Sequence, residues 1–267
     1  MAGRPISLRA VRERFFTSLR DACAPWRIGY SGRAPLNQET ENAFLRIVVA
    51  WETFQSEWLI SVVTRDPSQL AKKLGDDFDQ WSASKYGISP AAYQGAATPR
   101  ALKTTLHLAS PTHDEVRELL DPRGFNISFD GLQGLKTKSA QFAIAAYLNR
   151  VTAIVPQPGQ PQAGVVEAAT SIRNWLAHRS RSALGEMRGC LAGLHNQDLH
   201  VAAFSGSSGG YLKVLVPGAP VVLPLSSAAA NPAGIPAQTH PYQRRRLLLY
   251  CAEYIRVAWS LVPIQDT

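Results

Sequence analysis

The residues of this sequence best suited to chemistry are an arginine and a histidine five positions apart in a predicted helix. They stand in Ser171-Ile-Arg-Asn-Trp-Leu-Ala-His-Arg-Ser-Arg181. Asn174 and His178 are four apart and share a helix face. Arg173 lies about 140° round from His178, a separation its long guanidinium arm can span. Trp175, Leu176 and Ala177 form the packing side, and Arg179 and Arg181 add positive charge beyond the histidine. The grouping suits cleavage of an RNA phosphodiester without metal. Imidazole takes and gives protons near neutrality, as removal of the 2′-OH proton and protonation of the departing 5′-oxygen require. An Arg fork stabilises the charge gathering on the non-bridging oxygens. Asn174 can orient the imidazole or hydrogen-bond a phosphate oxygen. One chain supplies one such His, and an isologous dimer is the simplest symmetry that brings two into one cleft. By spacing alone, the same residues fit a solvated helix end whose charges suit the helix dipole better than they fit a catalytic site.

The elements that must position this segment read as helices. Ser7 to Cys23 forms the first, broken by the stretch from Pro25 to Pro35. From Asn37 to Thr64, Phe44, Ile47, Val48, Trp51, Phe54, Trp58, Leu59 and Val62 recur at steps of three and four. That is a single apolar stripe and predicts a central core helix closed by Pro67. Trp51, Trp58 and Trp175 therefore read as core rather than base-stacking platforms. Glu52, on the edge of the stripe, is placed to reach Arg173 or His178, or to serve as a structural ion-pair partner. Ser68 to Lys85 predicts a more polar helix. Thr112 and Glu115 form a capping box opening a short helix to about Leu120. Gly131 to Val155 reads as one long helix. After the Pro156–Gly164 loop, Val165 to Cys190 reads as the motif helix.

Beyond residue 195 the texture changes. Tyr211–Val216 and Val221–Leu223 flank Pro217-Gly-Ala-Pro220, which predicts a β-hairpin, with Leu199–Phe204 as a candidate further strand. Ser226 to Pro241 is linker-like, and Tyr242 to Leu261 forms a last helix with Arg244-Arg245-Arg246 at its start. The expected architecture is one mainly α domain over residues 1–267. It is a helical bundle with a small β-hairpin excursion, a peripheral hairpin and linker at about 195–240, and a C-terminal helix at 242–262.

Composition bounds the partners. The chain has 28 Lys+Arg against 20 Asp+Glu, a formal charge of +8 and a pI of about 9.6, which favours encounter with phosphate-bearing molecules. Cys23, Cys190 and Cys251 lack zinc-ligand spacing, and their odd number argues against a disulfide framework. Unpaired thiols in a reducing compartment are expected. No apolar region follows Arg4, Arg9, Arg12 and Arg14 as in a signal peptide. No apolar run reaches the ~18 residues of a membrane span. A cytoplasmic protein with no membrane partner follows. His107 and His113, beside Asp114 and Glu115, read as surface or capping residues. His195 and His200, around Asp198, are slightly more like a metal clip, but His-x4-His on a non-helical segment is a weak pattern, so no metal or cofactor is expected.

Arg173-Asn174-(Trp-Leu-Ala)-His178 resembles the nuclease motif of the HEPN family (higher eukaryotes and prokaryotes nucleotide-binding), an Arg and a His separated by four to six residues with a polar residue after the Arg. Ala177-His178-Arg179-Ser180 fits as well. Ile47-Val-Val-Ala-Trp-Glu-Thr-Phe-Gln-Ser-Glu57 is similar to an earlier helix of the prokaryotic RiboL-PSP-type branch. The resemblance covers about residues 37–190. It implies a four- or five-helix bundle and a dimeric, metal-independent endoribonuclease acting in bacterial defence or under an antitoxin, with Arg173, Asn174 and His178 catalytic and Glu52, Arg179 and Arg181 supporting. The alternative it leaves open is a non-catalytic module binding RNA, nucleotide or a partner protein. Ser180 departs from the Tyr that minimal HEPN toxins carry two residues after the His, so regulation by modification of that Tyr is not expected.

Overall fold

The computed structural model describes residues 6–28, 37–87, 111–124, 126–155, 162–195, 208–213 and 246–263, and the regular structure among them is all helix. Its axis is α2 (Asn37–Arg65), spanning the predicted range and ending before Pro67. Phe44, Ile47, Val48, Trp58, Leu59 and Val62 are fully buried, and Trp51 and Phe54 nearly so. Trp51 stacks on Tyr254 at 4.9 Å and Phe54 on Phe15 at 4.8 Å. Aromatics of this size need grooves on more than one side, so α2 is covered by helices from both ends of the chain.

One of these is α1 (Leu8–Ile28), which runs past Pro25 rather than stopping before it. A proline near a helix end forfeits one backbone bond, and the helix continues three residues beyond. Ser7 starts it, its hydroxyl accepting from the Ala10 N–H at 3.0 Å. The other cover is α10 (Arg246–Leu261), whose range includes Arg246 of the predicted basic opening. Arg12 ties the two together. Its Nη1 donates to the Val262 carbonyl at 2.6 Å, and its guanidinium carbon lies 3.8 Å from the Trp259 ring centroid. On the same seam the sulfurs of Cys23 and Cys251, residues far apart in sequence, come within 3.6 Å without forming a disulfide.

Around this spine pack α3 (Ser68–Tyr86), α4 (His113–Leu120), α5 (Gly131–Phe142) and α6 (Ala145–Ile154). The Thr112–Glu115 capping box forms as expected, opening α4. Gly131 to Val155 is not one helix: Ala143 and Ile144 are extended and split it. The bend lets α5 lie against α3 and the motif helix while α6 lies against α10, which a straight rod could not do.

The motif helix is split too. It comprises α7 (Gln162–His178) and α8 (Arg181–His195), not one helix over Val165–Cys190. Arg179 adopts a left-handed φ of 50°, and Ser180 caps α8 by accepting from the Ala183 N–H at 3.2 Å. A left-handed residue followed by an N-cap is a complete stop-and-restart signal.

The expected hairpin is corrected in part. Tyr211 to Lys213, taken as the start of a strand, belong to a short helix, α9 (Ser208–Lys213). Adjacent Tyr211 and Leu212 are both buried, whereas a strand sends neighbours to opposite faces. The remainder of that hairpin, the Leu199–Phe204 strand and the 226–241 linker lie outside the described residues. One hydrophobic cluster runs from Leu8 to Val262. Among the described residues no helix is long and apolar enough to cross a membrane.

Candidate functional site

Position along α2 decides which side chains meet the motif. Glu41 and Glu52 are eleven residues apart, close to three full turns, so they share one face. That face meets the end of α7. Glu57 lies about 140° round from Glu52 and meets α4 instead.

Glu52 makes the contact expected of it with Arg173, whose Nη2 donates to its Oε2 at 3.2 Å. Arg173 Nη1 donates to Asn174 Oδ1 at 3.0 Å. The guanidinium is thus held by a carboxylate on one side and an amide on the other, with about a third of the side chain exposed. Burial raises the Glu52 carboxyl above its ordinary value, and the attraction of Arg173 opposes that shift without cancelling it. The expected alternative contact of Glu52 with His178 is not made.

His178 is the last residue of α7 and is exposed. Its imidazole makes no hydrogen bond or ion pair with the described residues. Arg179 and Arg181 are exposed beside it. The break after His178 therefore places histidine and cations at an open corner, where the uninterrupted helix read from sequence would have set them along a rod.

Glu41 was not singled out from sequence. It is only 15% exposed and accepts from Arg179 Nη2 at 2.7 Å through one oxygen and from the Gly209 N–H at 3.0 Å through the other. Trp175 is half-buried under Arg179, whose guanidinium carbon is 5.3 Å from its ring centroid. The indole N–H donates to Ser208 Oγ at 2.8 Å. The available sequence signal was the three-turn spacing of Glu41 and Glu52; the α9 partners carry no local one.

The root of α7 is fixed by Glu167, a half-buried carboxylate whose Oε1 accepts from the Leu132 N–H at 3.4 Å. Burial raises its pKa. Gly131 has a φ of 59°, and a Cβ there would stand 2.9 Å from that oxygen, so this junction needs glycine.

A second histidine site differs from expectation. His113, read as a surface or capping residue, is 7% exposed. As the first residue of α4 it is turned by the Thr112 cap onto α2, where its Nε2 lies 3.5 Å from Glu57 Oε2. Arg117 Nη2 donates to the other Glu57 oxygen at 2.5 Å. Burial lowers the His113 pKa below its ordinary value, against the pull of Glu57.

A groove of about 650 Å³ between α1 and α2 is lined by Arg14, Phe15, Arg46, Val49, Phe54 and Glu57 among others, with none of the motif residues. At the motif corner Ala177 to Arg181 are all exposed. Among the described residues no three His, Cys, Asp or Glu side chains cluster as a metal site; His107 and His200 lie outside them. No family model matches this chain, and neither a curated protein nor a solved structure does.

Proposed function

We propose that the protein is a metal-independent endoribonuclease, acting as a homodimer in which the α7 ends of two copies form one cleft. The observation that carries the proposal is the division of labour at the end of α7. Arg173 is preorganised by Glu52 and Asn174, while His178 stands open to a substrate.

In the reaction, His178 removes the proton from the ribose 2′-OH, and that oxygen attacks the adjacent phosphorus. The P–O5′ bond breaks, and the 5′-oxygen takes a proton from the same residue of the second copy. The products are a 2′,3′-cyclic phosphate and a 5′-hydroxyl. Arg173, a rigid planar donor, stabilises the charge on the non-bridging oxygens. Arg179 and Arg181 hold the flanking backbone. The resemblance of the motif to HEPN nucleases supports a role as an effector of bacterial defence or of a toxin–antitoxin pair, for which a cytoplasmic location is part of the proposal.

Purified protein incubated with mixed RNAs in EDTA, wild type beside His178→Ala, tests this. Cleavage by wild type alone supports it, and equal cleavage by a folded His178→Ala protein contradicts it. The second reading, an RNA-binding module without catalysis, is favoured by the two donors that Arg173 already commits within the protein. RNA affinity without cleavage would decide for it.

A further inference from the structure

Arg179 occupies a left-handed backbone conformation that is strained for an L side chain and that glycine adopts freely. Its φ is 50°, yet the residue is a long cation, half exposed and next in sequence to His178. Two side-chain contacts and a brace behind them hold it there. Glu41 takes one Nη, the Trp175 ring lies beneath the guanidinium plane, and α9 locks both supports through Ser208 and Gly209. Gly209 sits so close to α2 that a Cβ would fall 2.3 Å from the Asn37 carbonyl oxygen. The brace therefore excludes any side chain at that point.

A guanidinium has five N–H donors, and Arg179 gives one to Glu41 and no other to the described residues. The rest of the fork is presented, oriented, at the corner that holds His178. Arg173, by contrast, already has donors engaged on both sides.

We infer that Glu41, braced by α9, is a positioning residue that aims Arg179 at an RNA phosphate neighbouring the one cleaved. Arg179 is then the main backbone-binding group, and Glu41 acts only through it. The inference rests on the ribonuclease reading for its ligand class, but binding and cleavage separate the two.

The experiment uses the full chain and a short single-stranded RNA carrying 2′-O-methyl at every nucleotide, so that no 2′-OH is left to attack and binding is measured without turnover. Arg179→Ala should weaken binding about tenfold and lower the slope of log Kd against log salt by about 0.7, the share of one phosphate on a single strand. Glu41→Gln keeps an acceptor for the Gly209 N–H and removes the charge facing Arg179. It should weaken binding several-fold, leave the melting temperature within a few degrees, and add nothing when combined with Arg179→Ala. On a cleavable RNA both variants should raise KM with kcat little changed.

Additive losses in the double variant, or Glu41→Gln binding equal to wild type, would overturn the proposal, as would wild-type protein that binds no RNA. If binding follows the predicted pattern while wild type cleaves nothing, the positioning role stands and the nuclease reading fails.

Discussion

Two glutamates five residues apart on α2 each reach an arginine on another helix, and each has a histidine nearby. At one, Glu52 holds Arg173 at 3.2 Å and the α7 helix ends in exposed His178. At the other, Glu57 holds Arg117 at 2.5 Å over His113, which is 7% exposed. The residue types match, but the surroundings do not. His113 is desolvated, which lowers its pKa, with Glu57 facing it and Arg117, Asp114 and Arg14 as its other charged neighbours. His178 has solvent on its open side. A general acid–base group must exchange protons with a substrate, so access rather than composition separates the site from the ion pair that fastens α4 to α2.

The largest effect should come from exchanging roles. His178→Ala is expected to lower cleavage by about 10²–10⁴-fold, the usual share of a general acid–base group, with an unchanged melting curve. Glu57→Ala should do the reverse. Removing the carboxylate that pairs with Arg117, itself more than a third exposed, should cost up to about 1 kcal/mol of stability, read by urea denaturation, while cleavage per folded molecule holds.

Glu52→Ala sharpens the contrast, because its ion pair is a third exposed on each side. Such a pair contributes about 0–1 kcal/mol, so the variant should stay folded and lose kcat through a misplaced Arg173.

A smaller effect concerns pH. The folded His113 pKa lies below its ordinary 6.5. Between the two values the unfolded chain binds a proton that the folded chain refuses, so stability is lost as pH falls below about 6.5. His113→Leu should flatten that part of the stability–pH curve. The Thr112→Ala variant, which removes the cap that turns His113 inward, should cost about 1 kcal/mol.

How far these features could be read from sequence depended on whether their cause was local. The α2 helix was legible because Phe44, Trp51, Phe54 and Trp58 recur at helical spacing, although its burial, unbroken from Trp58 to Thr64, extends beyond the single stripe expected. The Thr112 cap was legible because both of its partners lie within four residues. The pairing of Glu52 with Arg173 was foreseen as one of several options from the position of Glu52 on the stripe edge. The break at Arg179 was not, since the apolar spacing of Leu176, Ala183 and Met187 continues through it. Only Ser180 hinted at a cap, and a non-glycine left-handed residue is held by tertiary contacts with Glu41 and Trp175. Tyr211 and Leu212 misled for the same reason: packing against α2 sets their conformation over local preference.

The most direct test of the account is one metal-free cleavage assay on wild type, His178→Ala and His113→Leu, each checked for folding, with the new RNA ends identified. Wild type and His113→Leu are predicted to produce 2′,3′-cyclic phosphate ends at similar rates and His178→Ala none. Loss of cleavage in folded His113→Leu with retention in His178→Ala would place the chemistry at the buried histidine and contradict the account.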